Sequence, residues 1–261
     1  MTDISQEQIE RYCSRIGLTG PLPPTAETLS AIQWAHLHTV PFENLDINPL
    51  GRPFSLDIPD IYDKVVNRRR GGFCFELNGL LAVLLETLGY QVSRMGAWFA
   101  DDPDPNPLDH LVLDVTVPGD GSRWYADVGA GRTNPERAIP IDGLSADGQR
   151  RSRLGQNGRV VEKIGADGDW ELILTWGLTP HALPAFLPRC RYFQTAADSH
   201  FRQSPVCTML VPGGRITLSK RTLITTINGD RTERALTSNA EIAEVLRSTF
   251  GIEIPVDDRW G

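Results

Sequence analysis

Apolar positions recur at helical spacing through the first third of the chain and at strand spacing through most of the rest. Ile9, Tyr12, Cys13 and Ile16 predict one helix, with Asp3 as its cap and Gly17 as its end. Thr25 caps a second, carrying Leu29, Ile32 and His36 and stopping near Pro41. Ile58, Ile61, Tyr62 and Val65 repeat at i, i+3, i+4 and i+7, and Gly71-Gly72 break that pattern. Leu77, Leu81, Leu84 and Leu88 then form an apolar stripe, with Gly89 where a left-handed C-terminal residue is wanted. Cys74 therefore falls in the first turn of a fourth helix.

From Tyr90 the period shortens. Leu111, Leu113, Val115 and Val117 alternate with His110, Val112, Asp114 and Thr116, a strand pattern. Pro118-Gly119-Asp120-Gly121 make a turn, and residues 123–128 return as a second strand. Residues 160–163 and 170–176 predict another hairpin around Gly165 and Gly168. Further strands are expected over 206–211, 215–219, 222–227 and 231–235, joined by Pro212-Gly213-Gly214 and the hairpin signal Asn228-Gly229. Ser238 and Glu241 form a capping box for a last helix, which presents Ile242, Val245 and Leu246 and ends at Gly251. Helices followed by many strands, then strands with a helix, give an α+β class rather than alternating βαβ units.

The 261 residues suffice for one large domain or two to three small ones sharing a core. With 40% hydrophobic and 23% charged residues, the composition is that of a globular chain, not a disordered one. A net charge of -7 argues against nucleic acid or an anionic membrane as partner. Two local basic clusters stand against that balance: Arg68-Arg69-Arg70, and Arg150-Arg151 with Arg153. Each reads either as solvated surface or a helix C-terminus, or as a seat for the phosphates of an anionic cofactor. The first ten residues lack a signal-peptide core, and the longest apolar run, 80–85, is too short to span a bilayer. A cytoplasmic protein with reduced thiols is expected. Its cysteines (13, 74, 190 and 207) are scattered without a C-x-x-C pair, against a disulfide framework or a metal site.

Composition alone makes Cys74, between Phe73 and Phe75, a small buried hydrophobe. Its position adds a second reading. A sulfur at a helix N-terminus meets unpaired N–H groups and the positive end of the dipole, which favour thiolate. Among the histidines, His36 and His38 lie on a helix and His181 follows Pro180, all structural or solvated in this reading; His200, after Asp198-Ser199, stays open. His110 begins a strand just past the loop 101–109, and Asp127 ends the return strand of the same hairpin. With the turn near Asp120, these two stand at one end of neighbouring strands, in a register the sequence does not settle. In such a triad Asp127 orients the imidazole and His110 takes the thiol proton. An unperturbed thiol is roughly 3% ionised at pH 7, so full ionisation gains only about 30-fold. Positioning and oxyanion stabilisation, for which the N–H groups opening the Cys74 helix are candidate donors, must supply the rest. Gly129-Ala130-Gly131 lacks the third glycine and the βαβ setting of a dinucleotide fingerprint, and no P-loop, H-E-x-x-H or G-x-S-x-G occurs.

Arg70-Gly71-Gly72-Phe73-Cys74-Phe75-Glu76-Leu77-Asn78 resembles the active-cysteine signature of the arylamine N-acetyltransferases. Residues 40–46, Asp109-His110-Leu111-Val112, residues 125–129, Ser199-His200-Phe201, residues 214–218 and Phe250-Gly251-Ile252 continue the resemblance over nearly the whole chain. It implies a cysteine-protease-like Cys-His-Asp core built from a helical domain (1–88) carrying Cys74, a β-barrel domain (89–187) carrying His110 and Asp127, and an α/β lid (188–261). It also implies acyl transfer from acetyl-coenzyme A to an arylamine, arylhydrazine or N-hydroxyarylamine by a ping-pong route through acetyl-Cys74, without a metal. Phe42 and Phe201 would line the acceptor pocket, with ordinary core packing as the alternative. Backbone N–H groups around Gly129 and Gly131 would contact the donor. Glu43 and Arg70 would brace the Cys74 turn as an ion pair, or sit solvated at the surface. One departure is Ala130, where the family usually carries an aromatic residue, so the pocket should be wider and stack a flat amine less well. Rival readings are a related amide synthase closing a macrolactam, a papain- or transglutaminase-like thiol hydrolase, and a non-catalytic binding module.

Overall fold

A computed structural model describes residues 4–260. Helix α1 (Gln6–Arg15) is capped by Ser5, whose Oγ accepts from Gln8 N while the Gln8 side chain accepts from Ser5 N. The expected cap, Asp3, lies outside the described residues. Thr25 caps α2 (Ala26–Leu37) as expected. Strand β1 is the short pair Phe42–Glu43, and α3 (Ile58–Tyr62) runs into a π-helical turn at Asp63–Asn67.

The helical pattern thus ends before Gly71-Gly72, and these glycines have another job. A Cβ on Gly71 would lie 2.0 Å from Pro41 O, and Glu43 N donates to Gly72 O at 2.8 Å. The pair lets two chain segments touch immediately ahead of Cys74. Helix α4 (Cys74–Thr87) follows and is buried from Cys74 through Leu85, so it is a central helix rather than an amphipathic one.

An eight-stranded antiparallel sheet packs against α4. Its strands are β2 (Gln91–Phe99), β3 (His110–Thr116), β4 (Arg123–Ala126), β5 (Ile139–Pro140), β6 (Gly143–Leu144), β7 (Arg150–Leu154), β8 (Arg159–Ile164) and β9 (Trp170–Pro180). They pair in the order β5-β4-β3-β2-β9-β8-β7-β6. The terminal strands β5 and β6 are separated by only residues 141–142, which curls the sheet into a nearly closed barrel. Leu111, Leu113 and Val115 of β3 join the α4 core, while Val112, with Met95, Tyr125 and Trp176, fills the barrel. Strand β3 is therefore buried on both faces, and His110 opens it at the edge of the helical core.

Beyond the barrel come α5 (Leu187–Thr195), α6 (His200–Gln203), β10 (Val206–Val211), β11 (Gly214–Ser219), β12 (Thr222–Ile227), β13 (Asp230–Ala235) and α7 (Asn239–Phe250). Ser238 and Glu241 form the expected capping box, and Gly251 adopts φ 67°. The second sheet runs β1-β10-β11-β12-β13. Its outer strand β1 comes from the helical segment, placing Phe42 opposite Thr208. Among the described residues, no helix is long and apolar enough to cross a membrane.

Candidate active site

Cys74 is the first residue of α4, and Phe73 before it is extended. Glu76, one turn in, reaches back so that Phe73 N donates to its Oε2 at 3.1 Å. Lys64 Nζ donates to both Glu76 oxygens, at 2.8 and 3.0 Å, and pairs with Asp46 at 2.8 Å. Arg70 pairs with Glu43 and Asp46. Glu43 is 0% exposed and Arg70 3%, so the bracing ion pair is buried and the solvated alternative is discarded. Three carboxylates here face two cations, and burial pushes the Glu76 carboxyl up to about 7 against the pull of Lys64.

The imidazole and carboxylate meet as well. His110 Nε2 bonds Asp127 Oδ2 at 2.7 Å, with both side chains buried. The hairpin register, Leu113 opposite Ala126, sets Asp127 just beyond the end of β4 and diagonal to His110. Asp127 accepts three more bonds: from Tyr125 OH at 2.8 Å, Asn78 Nδ2 at 2.8 Å and Gly129 N at 2.7 Å. Burial alone would raise its pKa, but His110 and the other donors around it hold the carboxyl below its ordinary value. With Nε2 turned to a carboxylate, the ring proton sits on Nε2 and Nδ1 keeps the basic lone pair.

Three polar residues that the sequence reading did not single out hold this arrangement together. Asn78, four residues past Cys74 on α4, donates to Leu111 O at 2.6 Å and to Asp127, and accepts from Val128 N at 2.9 Å. Gln33 of α2 accepts from Asp127 N at 3.0 Å and donates to Pro135 O. Tyr125 supplies its hydroxyl from inside the barrel. The only signal in the sequence was their type: amide or hydroxyl groups inside apolar elements.

Cys74 and His110 line one cavity of about 1030 Å³. Phe42, Gly129, Ala130, Gly131 and Phe201, all expected at the site, line it too, as does His200. Asp127 sits behind His110, at 0% exposure. A Cβ on Gly129 would come within 2.5 Å of Cys74 Cα, so the loop after Asp127 lies directly on the cysteine turn. The thiol itself departs from expectation. Burial, the largest effect, with the nearby Asp127 charge, raises its pKa well above the ordinary value, while backbone bonds from Leu111 and Phe75 lower it. Among the described residues no hydrogen bond joins its sulfur to the His110 ring.

A family model described as N-acetyltransferase matches residues 25–259. An arylamine N-acetyltransferase of Mycolicibacterium smegmatis is 34% identical over 253 residues, covering 93% of this chain and 91% of that one. The chain belongs to the arylamine N-acetyltransferase family. A solved M. smegmatis arylamine N-acetyltransferase superposes with TM-score 0.85 at 31% identity, covering 94% of this chain and 92% of the other. The Mycobacterium marinum arylamine N-acetyltransferase in complex with CoA does so at TM-score 0.83 and 28% identity, with the same coverage. This is a family of acyltransferases, and the helical, barrel and α/β parts seen here are its fold.

Two expectations are corrected within that family frame. Gly129 cannot offer its N–H to a donor, because that group is bonded to Asp127; Gly131 lines the cavity with φ 58°. The second basic cluster is a strand, β7, in which Arg151 and Arg153 both bond Glu162 of β8, at 2.5 and 2.6 Å. In the first cluster, Arg70 is consumed by the buried network and Arg68 pairs with Asp63. His36 is buried with both ring nitrogens unpartnered, and burial holds it neutral by lowering its pKa to about 3. Among the described residues, no group of three or more His, Cys, Asp or Glu is placed to hold a metal ion.

Proposed function

We propose that the chain transfers an acetyl group from acetyl-coenzyme A to an arylamine, arylhydrazine or N-hydroxyarylamine through a thioester on Cys74. One observation carries the reading: a cysteine opening a buried helix shares a cavity wall with an imidazole whose far nitrogen is held by a carboxylate.

His110 Nδ1 takes the proton from Cys74 Sγ as the sulfur attacks the thioester carbonyl, and Asp127 stabilises the imidazolium that forms. N–H groups in the first turn of α4 receive the oxyanion. Collapse of the tetrahedral intermediate expels the coenzyme A thiolate, which takes the proton from His110. The amine then attacks the acetyl-Cys74 carbonyl, His110 accepts the amine proton, and the amide leaves as Cys74 regains its proton. Phe42, Ala130 and Phe201 shape the acceptor end. The chain divides by role at 1–88, 89–187 and 188–261: nucleophile, base pair and lid.

Initial rates over a grid of acetyl-coenzyme A and aniline concentrations test the order of steps. Parallel double-reciprocal lines are expected. Intersecting lines, the mark of a ternary complex, would refute the two-step route.

A further inference from the structure

The turn that carries Phe201 is too short to hold itself. Helix α6 spans only His200–Gln203, and the last four carbonyls of a helix lack partners within it. Two asparagines that precede it by 154 to 160 residues take up carbonyls of this turn and its exit. Asn44 Nδ2 donates to Phe201 O and to Ser204 O, both at 2.8 Å, and Asn48 Nδ2 donates to Arg202 O at 2.6 Å. Asn44 also grips the start of β10: its Oδ1 accepts from Val206 N at 2.7 Å, and its own N–H donates to Val206 O at 3.2 Å. Both amide hydrogens and the amide oxygen are thus engaged, and an aspartate of the same shape could not donate. The two asparagines stand together because Ile47 N and Asn48 N both donate to Asn44 O, at 2.9 and 3.0 Å.

This turn presents part of the cavity that holds Cys74. Phe42, two residues before Asn44, and Phe201 both lie on its wall, with ring centroids 6.1 Å apart. Phe201 also meets Phe73, the residue before Cys74, at 6.0 Å. Asn44 is 1% exposed and stands behind that wall rather than on it. One short stretch, 42–48, therefore supplies one aromatic face of the pocket and the anchors of the other.

We infer that Asn44 and Asn48 are positioning residues for the acceptor step, fixing Phe201 against Phe42 without touching the reacting atoms. The inference rests on the acyl-transfer reading above and adds a division between its two half-reactions. Asn78 and Gln33 hold Asp127 from α4 and α2, so acylation of Cys74 does not depend on the α6 turn. Transfer to a flat amine does, because stacking on that wall brings the nitrogen to the acyl carbon.

The half-reactions are separated by loading the full chain with acetyl-coenzyme A, removing excess donor, and following loss of the acetyl adduct with and without aniline. Asn44→Ala should leave the acylation rate and the loss to water within about twofold of wild type, and lower the second-order rate with aniline about tenfold. Asn48→Ala removes one bond at a half-buried position and should act in the same direction, about threefold. It carries the test if Asn44→Ala does not fold. In a Phe201→Leu background, Asn44→Ala should slow aniline no further, since it acts through that ring. Variants that transfer to aniline like wild type, that slow acylation and transfer equally, or that add fully to Phe201→Leu overturn the inference and leave the acyl-transfer reading standing. A wild type that takes up no acetyl group overturns that reading, and this inference with it.

Discussion

Asn78 and Asp127 are joined at 2.8 Å across the interface between α4 and the barrel, and that bond is what sets the carboxylate beside His110. Asn78 lies one turn beyond Cys74, so the helix that presents the sulfur also holds the strand and loop that carry the imidazole and the carboxylate. Sulfur, imidazole and carboxylate share one rigid support, as the proposed chemistry would require.

Asp127 receives four donors on two oxygens. Asp127→Asn keeps the shape but offers only one accepting oxygen, so its amide nitrogen turns toward His110 and the ring proton moves to Nδ1. That tautomer cannot take a proton from the thiol. A loss in kcat/KM of about 10³ to 10⁴ is expected, with the fold retained. Activity within tenfold of wild type would remove Asp127 from its assigned role.

Glu76 makes stability depend on pH. Its carboxyl is raised by burial to about 7, whereas the unfolded chain releases that proton near the ordinary value of 4.5. The stabilisation is therefore full below about 4.5 and lost as pH climbs through 7. Glu76→Gln keeps an oxygen for Phe73 N but cannot titrate. The difference in Tm, wild type minus variant, should be larger at pH 5 than at pH 8. A difference that holds constant or grows with pH would mean the group stays ionised in the folded protein.

Ala130 sits on the cavity wall with its N–H held by Asn134 Oδ1 at 2.8 Å. Ala130→Phe should add a stacking face and narrow the pocket. A stacked ring contributes about 0.5–1.5 kcal/mol, so kcat/KM for a small aniline should rise about 2- to 10-fold while that for a bulky acceptor falls. A fall with the small aniline would contradict the widened pocket.

What the sequence made legible follows from where its signals were local. The α4 stripe and the glycines before Cys74 sufficed to set that residue in the first turn of its helix, and the hairpin turn to set His110 and Asp127 at one end of neighbouring strands; the resemblance joined the three. Strands β2 and β7 went unread because their arginines look solvated; in the fold Arg94 pairs with Glu86 at 2.7 Å and Arg151 with Glu162. Asn78, Gln33 and Tyr125 were passed over because their partners lie elsewhere in the chain, and a polar residue in an apolar element carries no mark of what it will bond. The upward shift of the Cys74 thiol was missed for a related reason. Helix position argues for ionisation, but the depth of burial, which here wins, is a property of the whole packing.

Intact-mass spectrometry after brief exposure to acetyl-coenzyme A tests the thioester most directly. Wild type should gain about 42 Da and lose it again when aniline is added, whereas folded Cys74→Ala should stay at its starting mass. A folded wild type that gains nothing, or an adduct that survives in Cys74→Ala, would contradict acyl transfer through this cysteine.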